Sequence, residues 1–170
     1  MGARRGVRTR LFGAKRCTRP SLVTRTSART SSHGCRNAGR RLRPWPDSSA
    51  ALRELGERYK LVALSNATLA ELTEISARGR LAWHAVLSGA LVKAYKPSAQ
   101  VYELAIGSLG LEPSRTVMAA AHAWDLRAAA SHGLRTAFIS RPGADHPSAE
   151  DRFDLSVPDL SALAAVLAQR

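Results

Sequence analysis

The chain has no acidic residue among its first 46 positions; Asp47 is the first of its 13 Asp and Glu. It is poor in aromatics, at 5%, and holds only two cysteines, Cys17 and Cys35. Their separation fits neither CxxC nor a Cys/His ligand spacing, so neither a disulfide framework nor a zinc site is expected. Apolar runs are too short to span a bilayer. No apolar stretch follows the N-terminal arginines, so a secretory signal is not expected and a cytoplasmic location is.

The missing acids explain the net charge of +13. Residues 1–43 hold 13 of the 26 Lys and Arg and no acid, whereas residues 44–170 hold 13 of each sign. The basic excess therefore belongs to the first quarter alone. That quarter is rich in Arg, Ser, Thr and Gly, with scattered Val7, Leu11, Phe12, Leu22 and Val23 and no period of 2 or 3.6. It offers too little apolar surface to offset the entropy of ordering, so disorder is expected.

From Trp45-Pro46-Asp47 onward, helical and strand patterns alternate. Helices are expected at 48–58, 68–78, 98–109, 124–132 (ended by Gly133) and 159–169. Short, nearly continuous apolar runs at 60–65, 85–88, 116–121, 135–140 and 153–157 read as buried parallel strands. This alternation predicts an α/β domain, a Rossmann-like parallel sheet with helices on both faces. Ligands of such sheets sit beyond the carboxyl ends of the strands. Ser65-Asn66, Lys96 and His122/Asp125 each follow an expected strand and converge there.

Four phrases carry a family resemblance: LRPWPDSSAALREL (42–55), LSNAT (64–68), AYKPSAQVYELA (94–105) and AAHAWDLRAAASHGLRTAFISRP (120–142). In this order and spacing they resemble the haloacid dehalogenase superfamily, most closely the type II L-2-haloacid dehalogenases. The resemblance covers about three-quarters of the chain, from Leu42 to the C-terminus. It implies hydrolysis of a carbon–halogen bond in a short 2-haloacid, with no metal or cofactor. An aspartate attacks carbon 2 and expels halide, and water then cleaves the aspartyl ester, so one hard step becomes two easier ones. By resemblance, Ser65 and the backbone of Asn66 bind the substrate carboxylate. Lys96 stabilises the charge of the nucleophile and of the ester intermediate. Tyr102 supports the site, and Asp125 orients Lys96 and helps place the hydrolytic water. His122 stands where asparagine is common, and Ala120 where serine is. A homodimer is open by the same resemblance.

Taken singly, each residue also has a structural reading. Ser65-Asn66 could cap a helix, Asp125 could favour a helix N-terminus, and Lys96 could be a solvated loop lysine. His122 could be an ordinary histidine, Tyr102 a core residue, and Trp124 a packing residue.

The family begins with an apolar strand ending in an aspartate nucleophile, followed by a helical cap domain. The roughly 40 residues before Leu42 cannot hold both, Arg10–Ala14 is poor strand material, and Asp47 precedes a helix in the wrong context to replace the nucleophile. A haloacid dehalogenase-like core without cap domain or first, central strand is therefore expected over residues 42–170, inactive as written. Residues 1–41 are expected to be a disordered basic extension or an out-of-frame segment, because an acid-free, Arg-rich stretch is what a shifted frame in a GC-rich gene produces. Polyanion binding by that segment is disfavoured by its single aromatic and lack of a fold motif. An organelle transit peptide is a further reading. A magnesium-dependent phosphatase relative is the alternative chemistry, although HAWDLR holds one carboxylate where phosphatases usually have two.

Overall fold

The composition changes at Trp45-Pro46-Asp47, and the first helix starts directly after it. The computed structural model describes residues 42–169. The expected disorder, frame shift and missing cap domain concern residues 1–41, which lie outside the described residues.

Helix α1 (Ser48–Gly56) buries Ala51, Leu52 and Leu55. The VALS run forms β1 (Val62–Ser65). Helix α2 (Leu69–Gly79) opens with a reciprocal cap: Thr68 Oγ1 accepts from the Glu71 N–H, and the Glu71 carboxylate accepts from the Thr68 N–H. Strand β2 (Ala85–Ser88) leads through a single 3₁₀ turn to α3 (Ala99–Leu109). Then come β3 (Val117–Ala120), α4 (Ala123–Ser131), β4 (Arg135–Ile139), β5 (Leu155–Val157) and α5 (Leu160–Ala168). Each boundary falls within two residues of its sequence expectation. Gly133 follows α4 with φ +78°, a left-handed conformation that suits glycine.

All strand pairs are parallel. Among the described residues they form two sheets, β1-β2 and β3-β4-β5. Among the described residues, β1 and β3 therefore belong to different sheets. Helices cover both faces. Ala137 and Ile139, alternate residues of β4, pack on Leu163 of α5. Leu134 joins Tyr102 of α3 and Ala129 of α4 in a separate cluster that also receives Leu64 of β1 and Met118 of β3. No helix among the described residues is long and apolar enough to cross a membrane.

Asp47 is a structural residue. One carboxylate oxygen accepts from Arg141 Nη2 at 2.6 Å and from the Leu160 N–H at 2.7 Å, joining the start of α1 to the start of α5. The Arg141 guanidinium also lies 5.1 Å from the Trp45 ring centroid. Burial pushes the Asp47 pKa up, but the Arg141 and Leu160 hydrogen bonds and the Arg141 charge outweigh it and lower the value.

Candidate functional site

Ser65 and Ser88 close the parallel pair β1 and β2 at one edge, and Ala120 closes β3 just ahead of the helix that carries Asp125. The loops beyond them are fastened to one another. Ser88 is fully buried; its Oγ donates to the Ala67 carbonyl at 2.6 Å and accepts from the Ala90 N–H at 3.1 Å. Ser65 Oγ accepts from the Ala67 N–H at 3.1 Å. Neither Ser65 nor Asn66 caps α2, because Thr68 does.

The loop carrying Lys96 is held twice. Asn66 Oδ1 accepts from the Lys96 N–H at 2.6 Å, and Asn66 Nδ2 donates to the Lys96 carbonyl at 3.3 Å. Further back, the Gly89 carbonyl accepts from the Ala94 N–H at 3.0 Å. A Cβ on Gly89 would lie 2.3 Å from the Ala94 carbonyl oxygen, so this turn requires glycine.

Lys96 Nζ then meets Asp125 Oδ2 at 2.5 Å, with the two side chains 9% and 6% exposed. Asp125 sits in the first turn of α4, where the helix dipole favours an anion. Its other oxygen, Oδ1, accepts from the Tyr102 hydroxyl at 2.7 Å. Tyr102 is fully buried on α3 and stacks on His132 at 5.3 Å. Burial first, then the hydrogen bond and charge of Asp125, push the Tyr102 pKa far above its ordinary value, so the phenol remains a donor at neutral pH. Both Asp125 oxygens are therefore engaged. Among the described residues, the only carboxylate paired with Lys96 is that of Asp125.

His122 takes a different direction. Its Nδ1 accepts from the Asp145 N–H at 3.4 Å, and its ring stacks on Trp124 at 5.7 Å. Asp145 in return accepts from the Trp124 N–H at 3.2 Å. The structure thus brings Asn66, Lys96, Tyr102 and Asp125 together and places Ser65 beside Asn66. It ties His122 to the loop after β4. Ala120 offers no polar side chain. Among the described residues, no three His, Cys, Asp or Glu side chains are grouped to hold a metal ion.

Ser88, Gly89 and the side-chain role of Asn66 escaped the sequence reading. Ser88 had a usable signal: it ends AVLS as Ser65 ends VALS.

Comparison with known proteins fits this arrangement. The family description haloacid dehalogenase-like hydrolase matches residues 18–133, reaching back into the basic segment. The (S)-2-haloacid dehalogenase of Pseudomonas sp. (strain YL) is 37% identical over 119 residues, 68% of this chain and 51% of that protein. A crystal structure of an L-2-haloacid dehalogenase superposes with a TM-score of 0.74 at 38% identity, covering 82% of this chain and 65% of the other. A defluorinating L-2-haloacid dehalogenase gives 0.71 at 34% identity, covering 78% and 56%. The chain spans about half the length of the curated relatives it matches. With a divided parallel sheet, a buried Lys–Asp–Tyr cluster at its carboxyl edge and a family match over more than half its length, the chain belongs to the haloacid dehalogenase-like hydrolases.

Proposed function

We propose that residues 42–169 carry the anion-binding and charge-stabilising part of a 2-haloacid dehalogenase site, and that these 170 residues alone release no halide. The observation that carries this is the Lys96–Asp125–Tyr102 cluster, nearly sealed from water, in which Asp125 is the one carboxylate paired with the ammonium among the described residues. A compact ammonium held against fixed groups stabilises carboxylate charge strongly where solvent is scarce. Lys96 serves the carboxylates of the reaction; the hydroxyl of Ser65 and the backbone N–H of Asn66 serve the acid group of a short 2-haloacid. Asp125 and Tyr102 hold the ammonium in place. His122, stacked on Trp124, lies at the margin of the site and is the least committed of the expected catalytic groups. The displacement needs a carboxylate to attack carbon 2 as halide leaves with the bonding pair, and no acid precedes Asp47.

The test uses the purified 170-residue chain with L-2-chloropropionate. Amide NMR shifts at Ser65 and Asn66 are expected on titration and are lost in Lys96→Ala, while ion chromatography detects no chloride above that variant's background. Chloride release above background would overturn the inactivity, and shifts unaffected by Lys96→Ala would overturn the site.

A further inference from the structure

We infer that Ser88 is a positioning residue of the crevice, its hydroxyl fixing the span between the Ser65 hydroxyl and the Lys96 loop; this rests on the acid-binding site proposed above. Ser88 itself touches no ligand.

Ser88 stands where the two loops of that site leave the sheet. It is the last residue of β2 and the register partner of Ser65, the last residue of β1. Beyond Ser65 comes the Asn66-Ala67 stretch. Beyond Ser88 comes the 3₁₀ turn Gly89–Val92, which continues to Lys96. The fully buried Ser88 side chain joins the two loops. Its Oγ accepts from the Ala90 N–H at 3.1 Å, in its own loop, and donates to the Ala67 carbonyl at 2.6 Å, in the other. A cap on the 3₁₀ turn accounts for the accepted bond alone. The shorter bond is the one that leaves the loop.

Each bond continues into the site. Ala67 gives its own N–H to Ser65 Oγ at 3.1 Å. Among the described residues the Ser65 hydroxyl proton has no acceptor, so it is left for an incoming acid. On the other side the Gly89 carbonyl accepts from the Ala94 N–H at 3.0 Å. Two residues further on, the Asn66 carboxamide grips both backbone groups of Lys96. The two loops are thus cross-tied twice, by Asn66–Lys96 at the far end and by Ser88–Ala67 at the strand ends. One tie leaves a hinge, whereas two define a span.

A hydroxyl suits this place chemically. It donates and accepts through one small atom, which neither an ionised carboxylate nor an ammonium does. Ala67 is half-buried and Ala90 exposed, so water can partner either group once the hydroxyl is gone. Water does not replace the covalent anchor of both bonds at the end of β2. Losing the hydroxyl therefore frees the span more than it unfolds the chain.

The experiment compares the full 170-residue chain with Ser88→Ala, Ser88→Thr and Ser88→Val. The extended backbone at Ser88 accepts a β-branched residue. Threonine and valine are close in shape, so that pair isolates the hydroxyl from the strain of an added methyl. Affinity for L-2-chloropropionate is read from the Ser65 and Asn66 amide shifts at a temperature where every chain is folded. It should fall about tenfold from serine to alanine, and again from threonine to valine. In the unliganded chain the Lys96 amide proton, bonded to Asn66 Oδ1 at 2.6 Å, should move upfield in the same two comparisons. If a branched variant does not fold, the serine–alanine pair decides by the same two readouts. A lower Tm with affinity and Lys96 amide unchanged marks a purely structural hydroxyl and overturns the inference. So does weaker binding without movement of the Lys96 amide, since only the Ser65 side would then have shifted. Absence of any shift in the unsubstituted chain overturns the site reading, and this inference with it; binding that is equal in all four chains overturns this inference alone.

Discussion

Replacing Asp125 with asparagine removes one charge and keeps the shape. The Tyr102 hydroxyl retains an acceptor at Oδ1, so the perturbation isolates the Lys96 ion pair. Both partners are almost sealed from water, at 9% and 6% exposure. Removing one member of such a pair leaves a buried charge uncompensated and costs about 3–5 kcal/mol. For roughly 130 ordered residues the unfolding entropy is about 0.27 kcal/mol per kelvin, so 1 kcal/mol corresponds to about 3.7 °C. Asp125→Asn should therefore lower Tm by roughly 11–18 °C in a calorimetric scan at pH 7. The variant Lys96→Met/Asp125→Leu/Tyr102→Phe removes every buried polar group of the cluster and should recover most of that loss, because apolar replacement of a whole buried pair is often neutral. A drop below about 4 °C for Asp125→Asn, or a triple variant no more stable than the single one, would refute the reasoning. Either result would mean that water reaches the pair.

Other outcomes follow from the same geometry. Gly89→Ala drives a Cβ into the Ala94 carbonyl; it should cost about 1–3 kcal/mol and abolish the chloropropionate-dependent NMR shifts by displacing the Lys96 loop. Asp47 and Asp154 both lie below the ordinary carboxylate value of 3.8. For Asp154 the Thr136 N–H lowers the value most, against burial, with the Thr136 hydroxyl adding to it. Their stabilisation is present above that value and lost as pH falls through and below it, so Asp47→Asn and Asp154→Asn should each flatten the acid limb of a Tm–pH profile below about pH 4. The raised Tyr102 pKa acts in the opposite direction: its contribution is intact below pH 10 and lost as pH rises further. Difference absorbance against Tyr102→Phe should show that phenol ionising only as the chain unfolds.

The secondary structure was largely legible because it depends on local pattern. The four-residue runs VALS, AVLS and VMAA are apolar in succession, and Leu160, Leu163, Ala164 and Leu167 recur at helical spacing. The short β5 was read two residues too long because Phe153 extends the apolar pattern. In the fold Phe153 stacks on Phe138, and the Asp154 carboxylate accepts from the Thr136 N–H. The site was legible only as a set of residue types after strands. Distances between them arise from tertiary packing: Lys96 and Asp125 are 29 positions apart and Asp47 and Arg141 are 94 apart. No local rule reports that the Asn66 carboxamide turns toward the Lys96 backbone, or that Asp47 reaches across to α5. The separation of β1-β2 from β3-β4-β5 among the described residues has no local signal in the sequence; only the pairing of strands locates it.

The Lys96–Asp125 contact has a consequence for any ligand the crevice admits. On the proposed reading, that ammonium is at once one strap among several between the segments that carry β1-β2 and β3-β4-β5 and the charge offered to an incoming acid. A guest that draws the lysine toward itself loosens that strap unless it bridges the segments in its place. Acids short enough to span lysine and the Ser65 loop together should tighten the fold on binding, whereas those that reach only the lysine should leave it slacker.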